Sequence, residues 1–364
     1  MTMTHPAQPG EVDAGRDAGH VPAARRSRAG TRRPHAGGPP TGPVTMVQAL
    51  NEALRASLDA DPSVLLMGED IGPLGGVFRV TDGLAKDFGE DRVIDTPLGE
   101  AGIVGAAVGL SMRGYRPVCE IQFDGFVFPA ADQLITQVAK LRNRSRGKLA
   151  MPITVRIPFG GGIGAIEHHS ESPEAYFAHT PGLKVVAPSN PADAYTMLRQ
   201  AIASDDPVIF LEPKHRYWEK AEVDWSAPGL PLHQARVVRP GSDLTLVGYG
   251  PTVATCLSAA DAVAPEGRSV EVIDLRSISP LDSDTVLESV RRTGRLVVVS
   301  EAHQSFGPAS ELAARVQEQA FFSLEAPVLR VAGYDTPYPA SRIEEEWLPN
   351  IDRVLSAIDR SLGF

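Results

Sequence analysis

Cysteine is nearly missing from this chain: Cys119 and Cys256 are the only two among 364 residues, with no C-x-x-C pair. That excludes a disulfide framework and a cysteine-built zinc cluster, and it fits a reducing, cytoplasmic setting. Long apolar runs are missing too, since no stretch reaches the ~20 strongly apolar residues a bilayer demands, so no membrane span is expected. Neither G-x-S-x-G nor G-x-x-x-x-G-K-[ST] occurs, which leaves serine hydrolase and P-loop NTPase chemistry without their motifs. Positive charge is outnumbered beyond the start of the chain. Residues 1–43 hold six Arg (Arg16, Arg25, Arg26, Arg28, Arg32, Arg33) against Glu11, Asp13 and Asp17, a net of +3, so the formal −10 of the whole leaves −13 on the other 321 residues. A body that acidic argues against nucleic-acid binding.

The same 1–43 leader lacks Leu, Ile, Phe, Trp and Tyr and is dense in Gly and Pro. It cannot bury enough apolar surface to offset its ordering entropy, and disorder is expected there. Three acids and no apolar face make it a poor organellar transit peptide.

From Thr45 onward, helix and strand patterns alternate. Thr45 is placed as N-cap of an amphipathic run over 46–58. Strands are expected at 64–67, 92–96, 116–123, 153–157, 183–187 and 207–211, with helices at 101–112, 130–142 and 192–203. Their order and Val/Ile-rich interiors predict an α/β domain over 44–220 with a parallel sheet covered on both faces. A polar, Pro-containing stretch at 221–241 reads as a linker. A second α/β domain follows over 242–364, with strands at 244–248, 269–275, 296–300 and 328–331 and helices at 253–263, 283–292, 309–320 and 342–358.

Loops that follow parallel strands form the crevice where ligands sit in such sheets. The first, 68–76, is acidic and glycine-rich and carries Glu69. The second sets Glu100 at the mouth of a helix built almost wholly of small or apolar residues, with Gly102, Gly105, Ala106 and Gly109 leaving it little girth. Such a helix can lie backbone-close to a neighbouring subunit or a planar ligand and take Glu100 out of water. The plainer alternative is a first-turn carboxylate that complements the helix dipole. The third loop joins Gln122 to the aromatics Phe123, Phe126 and Phe128, suited to a planar ring or to a simple aromatic core. The fourth runs from Phe159 through Gly160-Gly161-Gly162-Ile163-Gly164 to Glu167-His168-His169-Ser170. Gly160, Gly162 and Ala165 mimic half of a dinucleotide fingerprint, yet no helix opens there to hold a pyrophosphate. Adjacent histidines diverge and have no partner at metal-ligand spacing, so His169 is better suited to a substrate anion than to zinc. Glu69, Glu100, Gln122, Phe126 and His169 are therefore the expected crevice lining, with no reaction dictated by them.

Several motifs in order carry a resemblance: Gly-Glu-Asp at 68–70, Gly-Gly-Val-Phe at 75–78, Asp-Thr-Pro-Leu-Gly-Glu at 95–100, Glu-Ile-Gln-Phe at 120–123, His-Ser-Glu-Ser-Pro-Glu at 169–174, Pro-Gly-Leu-Lys-Val-Val at 181–186 and Val-Ile-Asp-Leu-Arg at 272–276. Over 45 to about 360 the chain resembles the β subunit of thiamine diphosphate-dependent 2-oxo acid dehydrogenases, the branched-chain type above all, with pyruvate enzymes close behind. The resemblance implies a transketolase-like fold, a pyrimidine-type domain followed by a transketolase C-terminal-like domain. It also implies that Glu100 hydrogen-bonds the ring nitrogen of the cofactor's aminopyrimidine and shifts it to the imino form that removes the acidic thiazolium proton. Glu69, the Leu98 backbone, Gln122 and Phe126 would surround that ring. Branched-chain relatives typically carry Tyr where Phe126 stands, so stacking survives and a hydroxyl hydrogen bond is lost. His169 would match the histidine that stabilises anionic intermediates and assists reductive acylation of lipoyl, whereas His168 has no counterpart. There is no Gly-Asp-Gly with a downstream Asn, the motif that holds Mg²⁺ and the diphosphate. The resemblance assigns that half of the site to an α subunit, in an α2β2 tetramer that hands its acyl group to a lipoyl acyltransferase core. Ile153, Thr154, Ala201 and Asp206 fall where some relatives bind K⁺, mostly through carbonyls. A single-chain transketolase-like synthase and a non-catalytic dinucleotide-binding module are the rival expectations.

Overall fold

The computed structural model describes residues 38–364, so the leader expected at 1–43 lies outside the described residues except for its last six. Thr45 caps the helix Met46–Ala60 through a reciprocal box: the Gln48 amide donates to Thr45 Oγ1 at 3.2 Å and the Thr45 amide to Gln48 Oε1 at 2.9 Å. A cap of this kind contributes about 0.5–2 kcal/mol. The helix lays Leu50, Ala53, Leu54 and Leu58 against Ala194, Leu198 and Ile202 of the helix Pro191–Ala203, and together they cover one face of the first sheet.

That sheet has seven strands in the order Ser277–Ser279, Lys184–Val186, Val208–Pro213, Thr154–Phe159, Arg116–Glu120, Val64–Gly68 and Val93–Asp95. All pairs are parallel except the first, where Ser277–Ser279 runs antiparallel to Lys184–Val186. The second sheet orders Leu329–Gly333, Leu296–His303, Leu244–Gly248, Val270–Asp274 and Arg236–Arg239, with the last strand antiparallel. The fold class is the expected one, α/β with two mostly parallel sheets.

Four departures from the sequence reading stand out. The expected helix over 130–142 is replaced by a 3₁₀ segment Asp124–Ala130, a π-helical turn Gln133–Val138 and a short helix Leu141–Arg144. Pro129 sits inside the first of these and cannot donate to an α ladder. The strand expected to reach 123 stops at Glu120. The helix expected over 342–358 is split into Glu344–Trp347 and Ile351–Leu362, because Pro349 interrupts it and Asn350 caps the second piece by accepting from the Arg353 amide at 3.0 Å. Finally, the stretch at 221–241 is no free linker: Arg236–Arg239 is a strand of the second sheet, and Gln200 Nε2 donates to the carbonyls of Pro228 and Leu230.

Apolar contact joins the two units into one core, since Ile157, Phe159 and Leu211 of the first sheet share a cluster with Val247, Tyr249 and Ile273 of the second. Polar contact reinforces the joint. Fully buried Arg276 reaches from the second unit to Asp193 on the helix Pro191–Ala203 (3.2 Å), and Ser189 Oγ donates to Asp274 Oδ2 (2.5 Å). Burial pushes the Asp274 carboxyl up to about 7 against the opposing Ser189 hydrogen bond. The folded protein therefore holds a proton that the unfolded chain has released, and the stability this contributes at low pH is lost as pH rises from about 4 through about 7. Asp274→Asn cannot ionise and keeps hydrogen-bonding capacity, so a series of thermal melts from pH 5 to 8 should show a shallower decline for the variant than for the native chain.

Candidate active site

The C-terminal ends of four adjacent strands open onto one side of the first sheet. Val64–Gly68 leads to Glu69, Val93–Asp95 to Glu100, Arg116–Glu120 to Gln122, and Thr154–Phe159 to the loop that carries His169. Parallel strands put these ends together whatever their separation in sequence.

Glu100 is the first residue of the helix Glu100–Met112 and is 7% exposed. Among the described residues no hydrogen-bond donor or cation is paired with its carboxylate. Glu69 lies close enough that the Glu100, Asp70 and Glu120 charges add to burial in pushing its carboxyl above the usual range. Its Oε2 is buried without a partner, as is the Thr96 hydroxyl in the turn before Glu100. Gln122 Nε2 donates to the Glu69 carbonyl at 2.8 Å, which fixes the acidic loop against the strand end. Leu98, by contrast, turns its side chain outward at 81% exposure and has only its backbone to offer the crevice.

The histidine lies across an aromatic wall. Its ring centroid is 5.0 Å from Phe123 and 5.5 Å from Phe126, edge-on to the latter. Phe78 and Tyr217 extend the wall behind Phe123. Burial lowers the His169 pKa, and the nearby Lys214 and His168 lower it further, so the ring is neutral around pH 7 and able to accept a proton. Its Nδ1 is buried and unpartnered. His168 pairs through Nδ1 with Glu167 at 3.0 Å and lies 6.2 Å from the Phe126 ring.

Sequence reasoning missed the support behind this wall. Lys214 and Asp124 form a wholly buried ion pair, with the ammonium 5.6 Å from the centre of the Phe123 ring. Asp124 Oδ2 also accepts from the Glu171 amide at 2.7 Å and so holds the far end of the histidine loop. A lysine directly after the apolar strand Val208–Pro213 was the available signal.

The remaining candidates lie elsewhere. Ile153, Thr154, Ala201 and Asp206 gather near the start of the strand Thr154–Phe159, at the opposite edge of the sheet. There the Ile153 carbonyl accepts from Val208, the Ala201 carbonyl from Ser204, and the Asp206 carboxylate pairs with Arg142 (2.5 Å) and Lys184 (3.1 Å). Among the described residues no three His, Cys, Asp or Glu are grouped to hold a metal, and no helix is long and apolar enough to cross a membrane. The glycine run is no pyrophosphate cradle, because its amides at 161, 162 and 164 are already taken by the carboxylates of Glu301 and Glu344.

The unpaired carboxyls of Glu69 and Glu100, an orphan imidazole nitrogen and an aromatic wall fit an amino-substituted heterocycle, which brings N–H donors and a flat face. Residues 42–219 match the transketolase pyrimidine-binding domain and 233–354 the transketolase C-terminal domain. A pyruvate dehydrogenase E1 component subunit beta from Leifsonia xyli subsp. xyli is 61% identical, over 88% of this chain and 95% of the relative. The chain belongs to the E1 β subunits of 2-oxo acid dehydrogenases. Other members of this thiamine diphosphate-dependent family include a 3-methyl-2-oxobutanoate dehydrogenase subunit beta from Mycobacterium tuberculosis, 56% identical over 88% of this chain and 92% of its own. A pyruvate dehydrogenase E1 component subunit beta from Bacillus subtilis is 49% identical over 88% and 99%. A solved chain described as a split gene transketolase in an inactive β4 tetramer shares the fold, with a TM-score of 0.73 at 22% identity over 88% of this chain and 99% of that one.

Close packing beneath the histidine loop of this E1 β subunit is testable. A Cβ on Gly125 would stand 2.5 Å from the His168 carbonyl oxygen, whereas one on Gly102 meets nothing within 4 Å. Gly125→Ala should cost about 1–3 kcal/mol of unfolding free energy by overpacking. Gly102→Ala should cost nothing in the same denaturation series.

Proposed function

We propose that this β subunit joins an α subunit, as α2β2, to decarboxylate a branched-chain 2-oxo acid on thiamine diphosphate and pass the acyl unit to lipoyl on an acyltransferase core. The unpaired carboxyl couple of Glu69 and Glu100 at the strand ends carries the reading. When bound, the cofactor supplies a stabilised carbanion equivalent that protein side chains lack. Glu100 would accept a hydrogen bond from the pyrimidine ring, Glu69 and Gln122 would border it with the Leu98 backbone, and Phe126 would stack against it. His169, neutral and backed by Lys214, would take or return a proton during acyl transfer. Mg²⁺ and the diphosphate would be held by the α subunit.

Support for a partner comes from the helix Glu100–Met112, which is apolar around its circumference while Ala101, Gly102, Ala106, Gly109 and Met112 lie exposed. A helix hydrophobic on every side belongs in a buried setting, and small residues permit close backbone approach. A K⁺ at Ile153, Thr154, Ala201 and Asp206 would rest on carbonyls, since side-chain cations occupy the Asp206 carboxylate.

A second reading, with pyruvate as substrate, is favoured by the 61% identity to a relative of that name. Assembly of the chain with an α subunit and comparison of kcat/KM for 3-methyl-2-oxobutanoate and pyruvate decides between them. Higher kcat/KM for the branched acid supports the first reading, and the reverse order assigns pyruvate. Decarboxylation by the isolated β chain would defeat the shared site altogether.

Glu100→Gln replaces the carboxylate by an isosteric amide that binds a pyrimidine nitrogen less well. Its turnover in the assembled enzyme should fall at least ~10²-fold, on the scale of acid–base roles, while the tetramer persists in gel filtration.

A further inference from the structure

The loop from 160 to 171 is closed at its neck, where the Gly160 amide donates to the Glu171 carbonyl at 2.9 Å. Its first half takes left-handed backbone at Gly160, Gly162 and Gly164, with φ of +84°, +83° and +70°. Alternation of this sort turns successive N–H groups toward one concavity, which attracts an anion. Here the anions are the protein's own, and both come from the C-terminal unit. Glu301, on the strand Leu296–His303, accepts from the Gly161 amide at 3.0 Å. Glu344, which starts the helix Glu344–Trp347, accepts from Gly162 at 2.9 Å and from Gly164 at 3.1 Å. Tyr338 donates its hydroxyl to Glu344 Oε1 at 2.5 Å and so orients the fork.

The fit leaves no room for side chains. A Cβ on Gly160 would lie 2.7 Å from Glu301 Oε2, and one on Gly161 would lie 2.0 Å from the Tyr338 oxygen. Neither carboxylate has a salt-bridge partner among the described residues, so the loop amides, with the Tyr338 hydroxyl on Glu344, compensate their burial, and burial still pushes the Glu301 carboxyl up to about 7.

We propose that Glu344 and Glu301 are positioning residues for His169, a carboxylate clasp through which the C-terminal domain fixes the loop that presents the histidine to the crevice. The proposal rests on the role given to His169 above. His169 follows Gly164 by five residues, and its far side is pinned separately by Asp124 on the Glu171 amide. Opening the clasp frees one end of the loop and leaves the other tied. The titratable groups facing the clasp are Glu174, Lys214, His215 and Tyr338.

The test uses the assembled α/β enzyme carrying Glu344→Ala, with Glu344→Gln, Glu301→Ala and Glu301→Gln beside it. Amide hydrogen exchange is followed peptide by peptide. Each variant is also assayed for decarboxylation with a soluble dye acceptor and for acylation of a free lipoyl domain. Glu344→Ala is expected to speed exchange in 160–171 at least tenfold with the rest of the chain unchanged. Lipoyl acylation should fall at least tenfold further than dye-coupled decarboxylation, because His169 is displaced and Glu100 is not. Glu301→Gln keeps one acceptor oxygen for Gly161 and should restore much of the protection that Glu301→Ala loses. Glu344→Gln loses one of two acceptors and should be intermediate, which keeps the test open if the alanine variant does not fold. Unchanged exchange in 160–171, or an equal fall in both activities, overturns the clasp. A native complex inactive on every 2-oxo acid would instead defeat the functional reading, while the exchange data still decide whether the carboxylates hold the loop.

Discussion

One guanidinium ties the crevice side of the first sheet to its interior. Arg156, buried in the strand Thr154–Phe159, donates to Glu120 on one neighbouring strand at 2.6 Å and bidentately to Glu212 on the other at 2.7 and 3.0 Å. Tyr217 donates to the same Glu212 at 2.6 Å. Three parallel strands are thereby cross-linked through side chains as well as through their backbone ladder. Loss of one partner from a buried set like this typically costs about 3–5 kcal/mol, because a charge is left uncompensated. From Glu120 the chain of contacts continues to Gln122, and from Gln122 to the Glu69 backbone. The crevice is thus an extension of a rigid network rather than a set of residues on free loops.

That network also accounts for the crevice electrostatics. Glu69, Glu100 and Glu120 stand near one another, yet the nearest buried guanidinium is already committed to Glu120 and Glu212. Glu69 and Glu100 are left as acceptors in search of donors. On the opposite side, Lys214 is committed to Asp124 and still lowers the proton affinity of His169. An acceptor-rich wall facing a neutral imidazole is the asymmetry that an N–H-bearing cofactor and a proton-transferring substrate would need.

Local signals were readable where a single element carried them. The Thr45 cap, the amphipathic 46–60 helix and the Val/Ile-rich strands follow from side-chain chemistry within a few residues, and the structure has them. That Glu69, Gln122, Phe126 and His169 gather at one crevice was readable because each follows a strand, and parallel strands deliver their ends to one place. Less legible were segments whose conformation is imposed from outside. The helix expected over 130–142 gives way to 3₁₀ and π turns, and Asp124 at the head of that stretch is held by Lys214, 90 residues away. Ser277–Ser279 looks like an extension of its own domain and instead completes the sheet of the other.

By itself the sequence determined the class of fold, the order of the two domains and the family, because these depend on periodicity and on motifs of a few adjacent residues. Tertiary structure alone decided what the glycine run is for. Its amides resemble half of a nucleotide cradle until Glu301 and Glu344, well over a hundred residues downstream, are seen to fill them. Sequence separation conceals such contacts, since a carboxylate and an amide recognise each other by distance and direction, and folding sets both.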